Sequence, residues 1–200
     1  LRGSKGCTLE GGVREPTLAW WPGTIAPGTE SAGIAGTTDV LPTFISLAGG
    51  KIKQDVKIDG RDVSDWLLGK AEQSPRDTWH YFRGTQLQAV RQGPWKLALT
   101  GQSLGMGIRQ RDADLAKGGR LYNLEQEIGE QTDLAAQHPD IVARLTQLAE
   151  TMTADLAANK RPAGSVTNPV TLYPTAPNRR PGSVRPTGKP VDWAKAKLGD

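Results

Sequence analysis

The clearest hydrophobic pattern in the chain is one apolar stripe towards its carboxy-terminal side. Its members recur at steps of three or four residues, the period that places side chains on one face of an α-helix. They are Ile141, Leu145, Leu148, Met152 and Leu156. His138-Pro139 comes just before the stripe, and proline is well tolerated at the first helical position. The pattern predicts a helix that begins here and packs its stripe on a sheet.

Shorter apolar segments between turn residues predict that sheet. Thr78–Phe82, Leu87–Arg91 and Trp95–Leu99 are expected to form three antiparallel strands, and Leu121–Leu124 is expected to add a fourth. Gly84 and Gly93-Pro94 mark the turns between the first three. Residues 101–119 are polar and rich in glycine, and a flexible loop is predicted there.

The amino-terminal part of the chain, residues 1–75, predicts a different set of elements. Pro16–Trp21 is expected to be a buried strand, because Leu18, Ala19, Trp20 and Trp21 are bounded by proline on both sides. A well-buried helix is predicted from Thr37 or Thr38, either of which can cap it, to Gly49-Gly50. Asp62–Leu68 predicts a short helical element that ends at Gly69.

Composition separates the carboxy-terminal end, residues 161–200, from the rest. This segment contains seven of the 14 prolines and carries seven Lys or Arg against two Asp, so it accounts for the net charge of +4. An extended, basic tail is predicted, with two interpretations left open: a solvated strap, or a patch that attracts sulfated polyanions. The tail lacks the interleaved aromatic residues of a nucleic-acid binder.

Other residue counts exclude several kinds of site. One cysteine allows no internal disulfide, and two distant histidines give no zinc-binding pattern. No apolar run is long enough to cross a bilayer, so the sequence predicts no membrane span. Asp112 and Asp114 are too few for a cation site, and no metal ligand is predicted in this chain.

The amino-terminal segment has the strongest chemical character. Glycine is dense from Gly3 to Gly12, and Lys5 lies between Gly3 and Gly6. Glycines permit left-handed backbone and close approach to a ligand, and a lysine ammonium suits a tetrahedral anion as a point charge. By residue chemistry alone, an anion-binding loop and a plain turn both remain open.

A family resemblance extends this interpretation. Residues 3–16 resemble the Gly-x-Lys-Gly-x-Thr-x-Glu-Gly-Gly-x-Arg-x-Pro motif of formylglycine-dependent sulfatases, in the arylsulfatase A and N-acetylgalactosamine-6-sulfatase branch. Further similar segments follow in family order across residues 1–156. They are Trp20-Trp21-Pro22-Gly23, Thr38–Thr43, Asp59–Asp62, Ala89–Leu97, Leu121–Leu124, Gly129-Glu130 and Leu134-Ala135.

The resemblance implies an α/β protein with the alkaline-phosphatase-like sulfatase fold. Residues 1–75 would be the carboxy-terminal part of the catalytic domain, 76–160 a small antiparallel-sheet-plus-helix subdomain, and 161–200 the Pro-rich tail. The formylglycine nucleophile and the calcium ligands are expected upstream of this chain, since Cys7 is followed by Thr8-Leu9-Glu10 and not by x-Pro-x-Arg. The isolated chain is therefore expected to be inactive, and the remainder of the catalytic domain is an expected partner.

The resemblance also implies roles for individual residues. Lys5 would be catalytic, contacting the sulfate oxygens and offsetting charge on the leaving oxygen. Glu10 and Arg14 are interpreted as supporting residues, with a structural pair that holds the loop as the alternative. Arg83, at the end of the predicted strand that contains His80, would bind substrate together with His80, with a plain surface charge as the alternative for Arg83.

The expected reaction is hydrolysis of the sulfate ester of a small molecule or a carbohydrate, in the periplasm or outside the cell. A phosphate or phosphonate ester hydrolase of the same superfamily is the main alternative. A non-catalytic module that binds polyanions is a third.

Overall fold

A computed structural model describes residues 1–53, 57–108, 115 and 117–160. The chain divides into two units, Leu1–Lys160 and Arg161–Asp200, and the described residues lie in the first. The predicted basic tail, and the part of the predicted flexible loop at 109–114 and 116, lie outside the described residues.

A four-stranded antiparallel sheet forms the centre of the first unit. Its strands are β1 (Thr78–Arg83), β2 (Gln86–Gln92), β3 (Trp95–Ala98) and β4 (Arg120–Asn123), in the order β1-β2-β3-β4. The turn glycines Gly84 and Gly93 have φ values of 59° and 54°, in the left-handed region that favours glycine. All four predicted strands are confirmed, with bounds that differ by no more than one position at either end.

One face of the sheet packs against the long helix. The predicted apolar stripe lies on α4 (Pro139–Asn159), and Leu145 and Ala149 of that helix are buried. They join a core made with Val90, Leu97 and Leu121, which lie side by side on β2, β3 and β4. The predicted packing of helix on sheet is confirmed, with Leu145 fully buried and Leu148 half-buried at the edge of this core.

The amino-terminal segment covers the opposite face. Lys96, Ala98 and Tyr122 point away from α4 and are buried, and the Lys96 ammonium contacts Thr8 and Glu10 of that segment. A short helix, α1 (Glu10–Val13), belongs to this segment. The sheet therefore lies between α4 and the Gly-rich motif.

Two predictions for residues 1–75 are wrong. Pro16–Trp21 is not a strand, and Leu18 and Trp20 are 98% and 87% exposed. The segment pairs with no strand among the described residues, and an unpaired segment cannot complete the backbone hydrogen bonds of a strand. The helix α2 (Val40–Leu47) forms as predicted but is not well buried, because Val40, Leu41 and Phe44 are exposed.

The start of α2 also differs from the prediction. A 3₁₀ turn at Thr37–Asp39 leads into the helix, and Gly36, not a threonine, precedes that turn. The Asp39 carboxylate accepts the Gly36 N–H at 2.9 Å, as the third residue of a capping box does, and no threonine hydroxyl caps the turn or the helix. The predicted short helix is confirmed as α3 (Ser64–Leu67), where Asp62 accepts the Ser64 N–H at 2.9 Å.

Candidate functional site

The Gly-rich segment folds back on itself into a tight loop. The Gly11 N–H donates to the Arg2 carbonyl at 2.8 Å, and a Cβ at Gly11 would lie 2.5 Å from that oxygen. Only glycine permits this close approach. Gly6, directly after Lys5, has a φ of 89° and also requires glycine's conformational freedom. The glycines of the motif therefore shape the turn that presents Lys5.

Lys5 lies at the exposed tip of this loop. Its carbonyl accepts the Met106 N–H at 2.7 Å, and the Ser4 N–H donates to the Leu104 carbonyl at 2.9 Å. The backbone on both sides is thus paired with residues 104–106. Among the described residues, the Lys5 ammonium takes part in no ion pair or hydrogen bond, so it is available to an anion from outside.

Glu10, also from the motif, lies in the interior beside the sheet. Its Oε1 accepts hydrogen bonds from the Lys96 ammonium at 2.9 Å and the Tyr81 hydroxyl at 3.0 Å, and its Oε2 accepts one from Arg14 Nε at 2.8 Å. Burial alone would raise the pKa of Glu10, but the charges of Lys96 and Arg14 outweigh it and lower the pKa to about 2. Glu10 is therefore ionised at neutral pH and joins the motif to the sheet.

Lys96 is the centre of this arrangement, and it was not among the site residues predicted from the sequence. It is 0% exposed, and its ammonium lies 2.7 Å from the Thr8 carbonyl, 2.9 Å from Glu10 Oε1 and 2.8 Å from Glu130 Oε1. It also lies 4.1 Å from the centre of the Tyr81 ring, a cation–π contact. We call Glu10, Tyr81, Lys96 and Glu130 the Lys96 cluster. One signal was available, because Lys96 and Glu130 both fall inside segments that carry the family resemblance.

Glu130 binds the backbone of Glu10 and the side chain of Arg2, at the two ends of the loop. Its Oε2 accepts the Glu10 N–H at 2.6 Å, and its carbonyl accepts a hydrogen bond from Arg2 at 2.6 Å. Glu130 adopts a φ of 53°, a conformation that side-chain-bearing residues seldom take. Burial raises the pKa of Glu130, and the neighbouring Lys96 charge only partly offsets this effect.

The two predicted substrate-binding residues lie in different places. Arg83 is exposed at the end of β1 and donates to the Ser103 hydroxyl at 3.3 Å, on the same loop that pairs with Ser4 and Lys5. His80 pairs with Val90 on the face that α4 covers, beside the backbone of Leu148, and burial lowers its pKa. The structure therefore connects Arg83 to Lys5 through one loop, and it does not bring His80 to them.

The described residues supply no calcium site. Among residues 1–53, 57–108, 115 and 117–160, no three His, Cys, Asp or Glu side chains come together as metal ligands. The carboxylates nearest to the motif, Glu10 and Glu130, already accept hydrogen bonds from protein donors. In the same part of the chain no helix is long and apolar enough to cross a membrane.

Comparison with known proteins gives a consistent result. Residues 74–178 match the family described as the C-terminal region of aryl-sulfatase. Human arylsulfatase A is 37% identical over 169 residues, which cover 74% of this chain and 32% of that protein. Mouse N-acetylgalactosamine-6-sulfatase is 43% identical over 95 residues, covering 48% of this chain and 18% of that protein.

A solved structure shows the same fold. The PsFucS1 sulfatase from Pseudoalteromonas sp. superposes with a TM-score of 0.67 at 25% identity, covering 78% of this chain and 32% of that one. The chain belongs to the aryl-sulfatase family, in its carboxy-terminal region, and the predicted alkaline-phosphatase-like sulfatase fold is confirmed. It spans about a third of the length of human arylsulfatase A.

Proposed function

We propose that this chain is the carboxy-terminal part of a longer enzyme that hydrolyses sulfate esters, and that Lys5 binds the sulfate group. The observation that carries the proposal is the exposed ammonium of Lys5, without a partner among the described residues, on a loop anchored to the sheet by buried charges. Family membership supports the reaction class. We call the complete enzyme the full-length protein.

The chemistry of a sulfate ester explains why a lysine is useful at this point. The sulfate group is anionic, and further negative charge builds up on the ester oxygen as its bond to sulfur breaks. A cation held in place before the reaction stabilises that charge without reorganising during it. The loop hydrogen bonds at Ser4 and Lys5 hold the backbone that carries this cation.

Arg83 is proposed to contact the substrate beyond the sulfate. It carries its guanidinium on the surface and contacts Ser103, in the same loop that pairs with the backbone of Ser4 and Lys5. A guanidinium offers several donors to hydroxyl, carboxylate or second sulfate oxygens. These groups occur in sulfated carbohydrates, which we propose as substrates together with smaller sulfate esters.

The remainder of the catalytic domain is proposed to cover the exposed apolar surface of residues 1–50. Leu18 and Trp20 protrude almost completely, and Leu41 and Phe44 on α2 are more than half exposed. Apolar side chains of this size gain free energy when a partner removes them from water. A calcium ion and a formylglycine residue, which the resemblance implies, belong in this proposal to that other part of the enzyme. The described residues offer no group of ligands for the ion.

Hydrolysis assays test the proposal. The full-length protein is expected to release 4-nitrophenol from 4-nitrophenyl sulfate in preference to 4-nitrophenyl phosphate, and the present chain alone should release none. Hydrolysis of the phosphate alone would instead favour a phosphate ester hydrolase of the same superfamily. Failure on both substrates, with salt-dependent retention of the chain on heparin, would favour a polyanion-binding module.

A further inference from the structure

We infer that Lys96 is a positioning residue for Lys5: its buried ammonium, bound to Thr8, Glu10 and Glu130, fixes the loop that carries Lys5 against the sheet. This inference rests on the function proposed above. Lys96 itself is fully buried and therefore does not reach the substrate. It acts through the backbone of the motif.

The geometry of the ammonium supports this role. A lysine ammonium has three donor hydrogens and no acceptor. Three oxygens lie within 2.9 Å of Lys96 Nζ: the Thr8 carbonyl, Glu10 Oε1 and Glu130 Oε1. Two of these belong to the motif itself, shortly after Lys5. Nζ donates hydrogen bonds to the Thr8 carbonyl and to Glu10 Oε1, and its contact with Glu130 Oε1 is an ion pair.

The loop is held a second time through Glu130. Its carboxylate joins Lys96 on one oxygen and the Glu10 backbone N–H on the other. The Glu10 backbone and the Glu10 side chain thus both depend on the same ammonium, directly or through one intermediate. Arg2, at the other end of the loop, donates to the Glu130 carbonyl at 2.6 Å. Glu130 therefore contacts residues on both sides of the turn that presents Lys5: Arg2 before it and Glu10 after it.

Removal of the Lys96 ammonium would take away the attraction that holds the two carboxyl groups of the Lys96 cluster together. Without Lys96, the buried Glu10 and Glu130 carboxyl groups would lose their shared cation, and their burial and mutual repulsion would be left without an offset. The Thr8 carbonyl would also lose its donor. A displacement of Lys5 by about 1 Å is enough to lower a reaction rate by about 100-fold when the geometry of attack is demanding.

The test uses the full-length protein with Lys96→Met, which keeps the length of the side chain and removes its charge. Glu130→Gln is a milder second variant, since it keeps the shape and one acceptor oxygen. Lys70→Met is the matched control, because Lys70 lies on the surface with only a 3.8 Å contact to Asp65. Turnover is measured on a series of aryl sulfates whose phenols differ in pKa, together with thermal unfolding.

If Lys96 acts through Lys5, Lys96→Met should lower turnover by about 10-fold or more, and the loss should grow as the leaving phenol becomes more basic. Glu130→Gln should show the same trend with a smaller loss, and Lys70→Met should show none. The double variant Lys5→Ala/Lys96→Met should be no slower than Lys5→Ala alone, because residues that act as one unit are not additive. The inference would be overturned if the double variant showed the product of the two single losses. It would also be overturned if Lys96→Met lost the same factor of turnover on every aryl sulfate.

Amide hydrogen exchange tests the positioning role of Lys96 independently of the proposed function, because it does not depend on enzyme activity. Lys96→Met should speed exchange at the Glu10 amide, which donates to the Glu130 carboxylate, and at the Gly11 and Gly12 amides, which donate to carbonyls within the loop. Unchanged exchange there would overturn the inference whatever the enzyme's activity. A wild-type protein that hydrolyses no sulfate ester would refute the proposed function, while the exchange measurement would still show whether Lys96 holds the loop.

Discussion

The guanidinium of Arg76 binds both carboxylate oxygens of Asp39, and both side chains are buried. Arg76 Nε donates to Asp39 Oδ2 at 2.8 Å, and Nη2 donates to Oδ1. Asp39 also accepts the backbone N–H of Arg61 at 2.8 Å. Burial would raise the pKa of Asp39, but the hydrogen bonds from Arg76, Arg61 and Gly36 outweigh it and lower the pKa. This pair ties the start of α2 to the residues just before β1.

The first prediction concerns that pair. Arg76→Met should lower the free energy of unfolding by about 3–5 kcal/mol, because it leaves the buried Asp39 charge uncompensated. The exposed pair of Lys70 and Asp65 provides the control, and Lys70→Met should cost less than about 1 kcal/mol. Urea unfolding of the full-length protein measures both. Equal, small losses would mean that Asp39 is neutral or solvated in the folded protein.

The second prediction is a pH dependence of stability that comes from Glu10. Its folded pKa of about 2 lies below the ordinary value, so its contribution is fully present above pH 4.5 and is lost as the pH falls towards 2. Glu10→Gln should therefore destabilise the protein by on the order of 3 kcal/mol at neutral pH. The difference in unfolding free energy between the wild-type protein and Glu10→Gln should narrow as the pH falls from 4.5 to 2. Glu150→Gln, on the exposed side of α4, is the control and should show no such difference. A difference that is constant across this range would show that the Glu10 carboxylate is not stabilised by Lys96 and Arg14.

The third prediction tests the packing of α4 on the sheet. Leu145→Ala should cost about 2–5 kcal/mol, because Leu145 is fully buried against Val90, Leu97 and Leu121. Leu148→Ala should cost less, since Leu148 is only half-buried. Thermal unfolding of the two variants gives the comparison. Similar costs below about 1 kcal/mol for both would contradict the packing.

The sequence was enough to predict the sheet and α4 because their signals are local. The stripe on α4 has the helical period, and each hairpin turn carries a glycine where the backbone has positive φ. The Lys5 motif was recognised through its resemblance to a known family, since residue chemistry alone left both an anion-binding loop and a plain turn open. These features need no knowledge of what they contact.

The errors arose where the outcome depends on distant partners. Leu18 and Trp20 have the residue types of a buried strand, yet a strand forms only with a neighbour that accepts its hydrogen bonds. The same dependence explains why Lys96 was missed, since a lysine in a short strand normally points to solvent. Its burial follows from Glu10 and Glu130, which lie far from it in the sequence, one on each side. Substrate binding by His80 stays a prediction; its place on the face that α4 covers follows from the strand register, which its residue type does not reveal.

The fourth prediction separates Arg83 from the chemistry at sulfur. Arg83→Ala should raise KM for a sulfated sugar, because a contact remote from the reacting atoms is lost. Turnover of 4-nitrophenyl sulfate, which lacks the sugar, should change by less than about threefold. Arg144→Ala, on the exposed side of α4, is the matched control. An equal loss on both substrates would mean that Arg83 acts at the sulfate group or stabilises the fold. No loss on either substrate would mean that Arg83 is a surface charge without a role in binding.

The central claim is that Lys5 binds the sulfate, and turnover of the Lys5→Ala full-length protein on 4-nitrophenyl sulfate tests it most directly. Lys51→Ala, an exposed lysine outside the motif, is the control. We predict that Lys5→Ala lowers turnover by about 100-fold or more, the scale for loss of one preorganised charge partner, with thermal stability unchanged. Lys51→Ala should match wild type. Turnover of Lys5→Ala within about threefold of wild type would contradict the claim, because Lys5 would then contribute less than about 1 kcal/mol to the barrier.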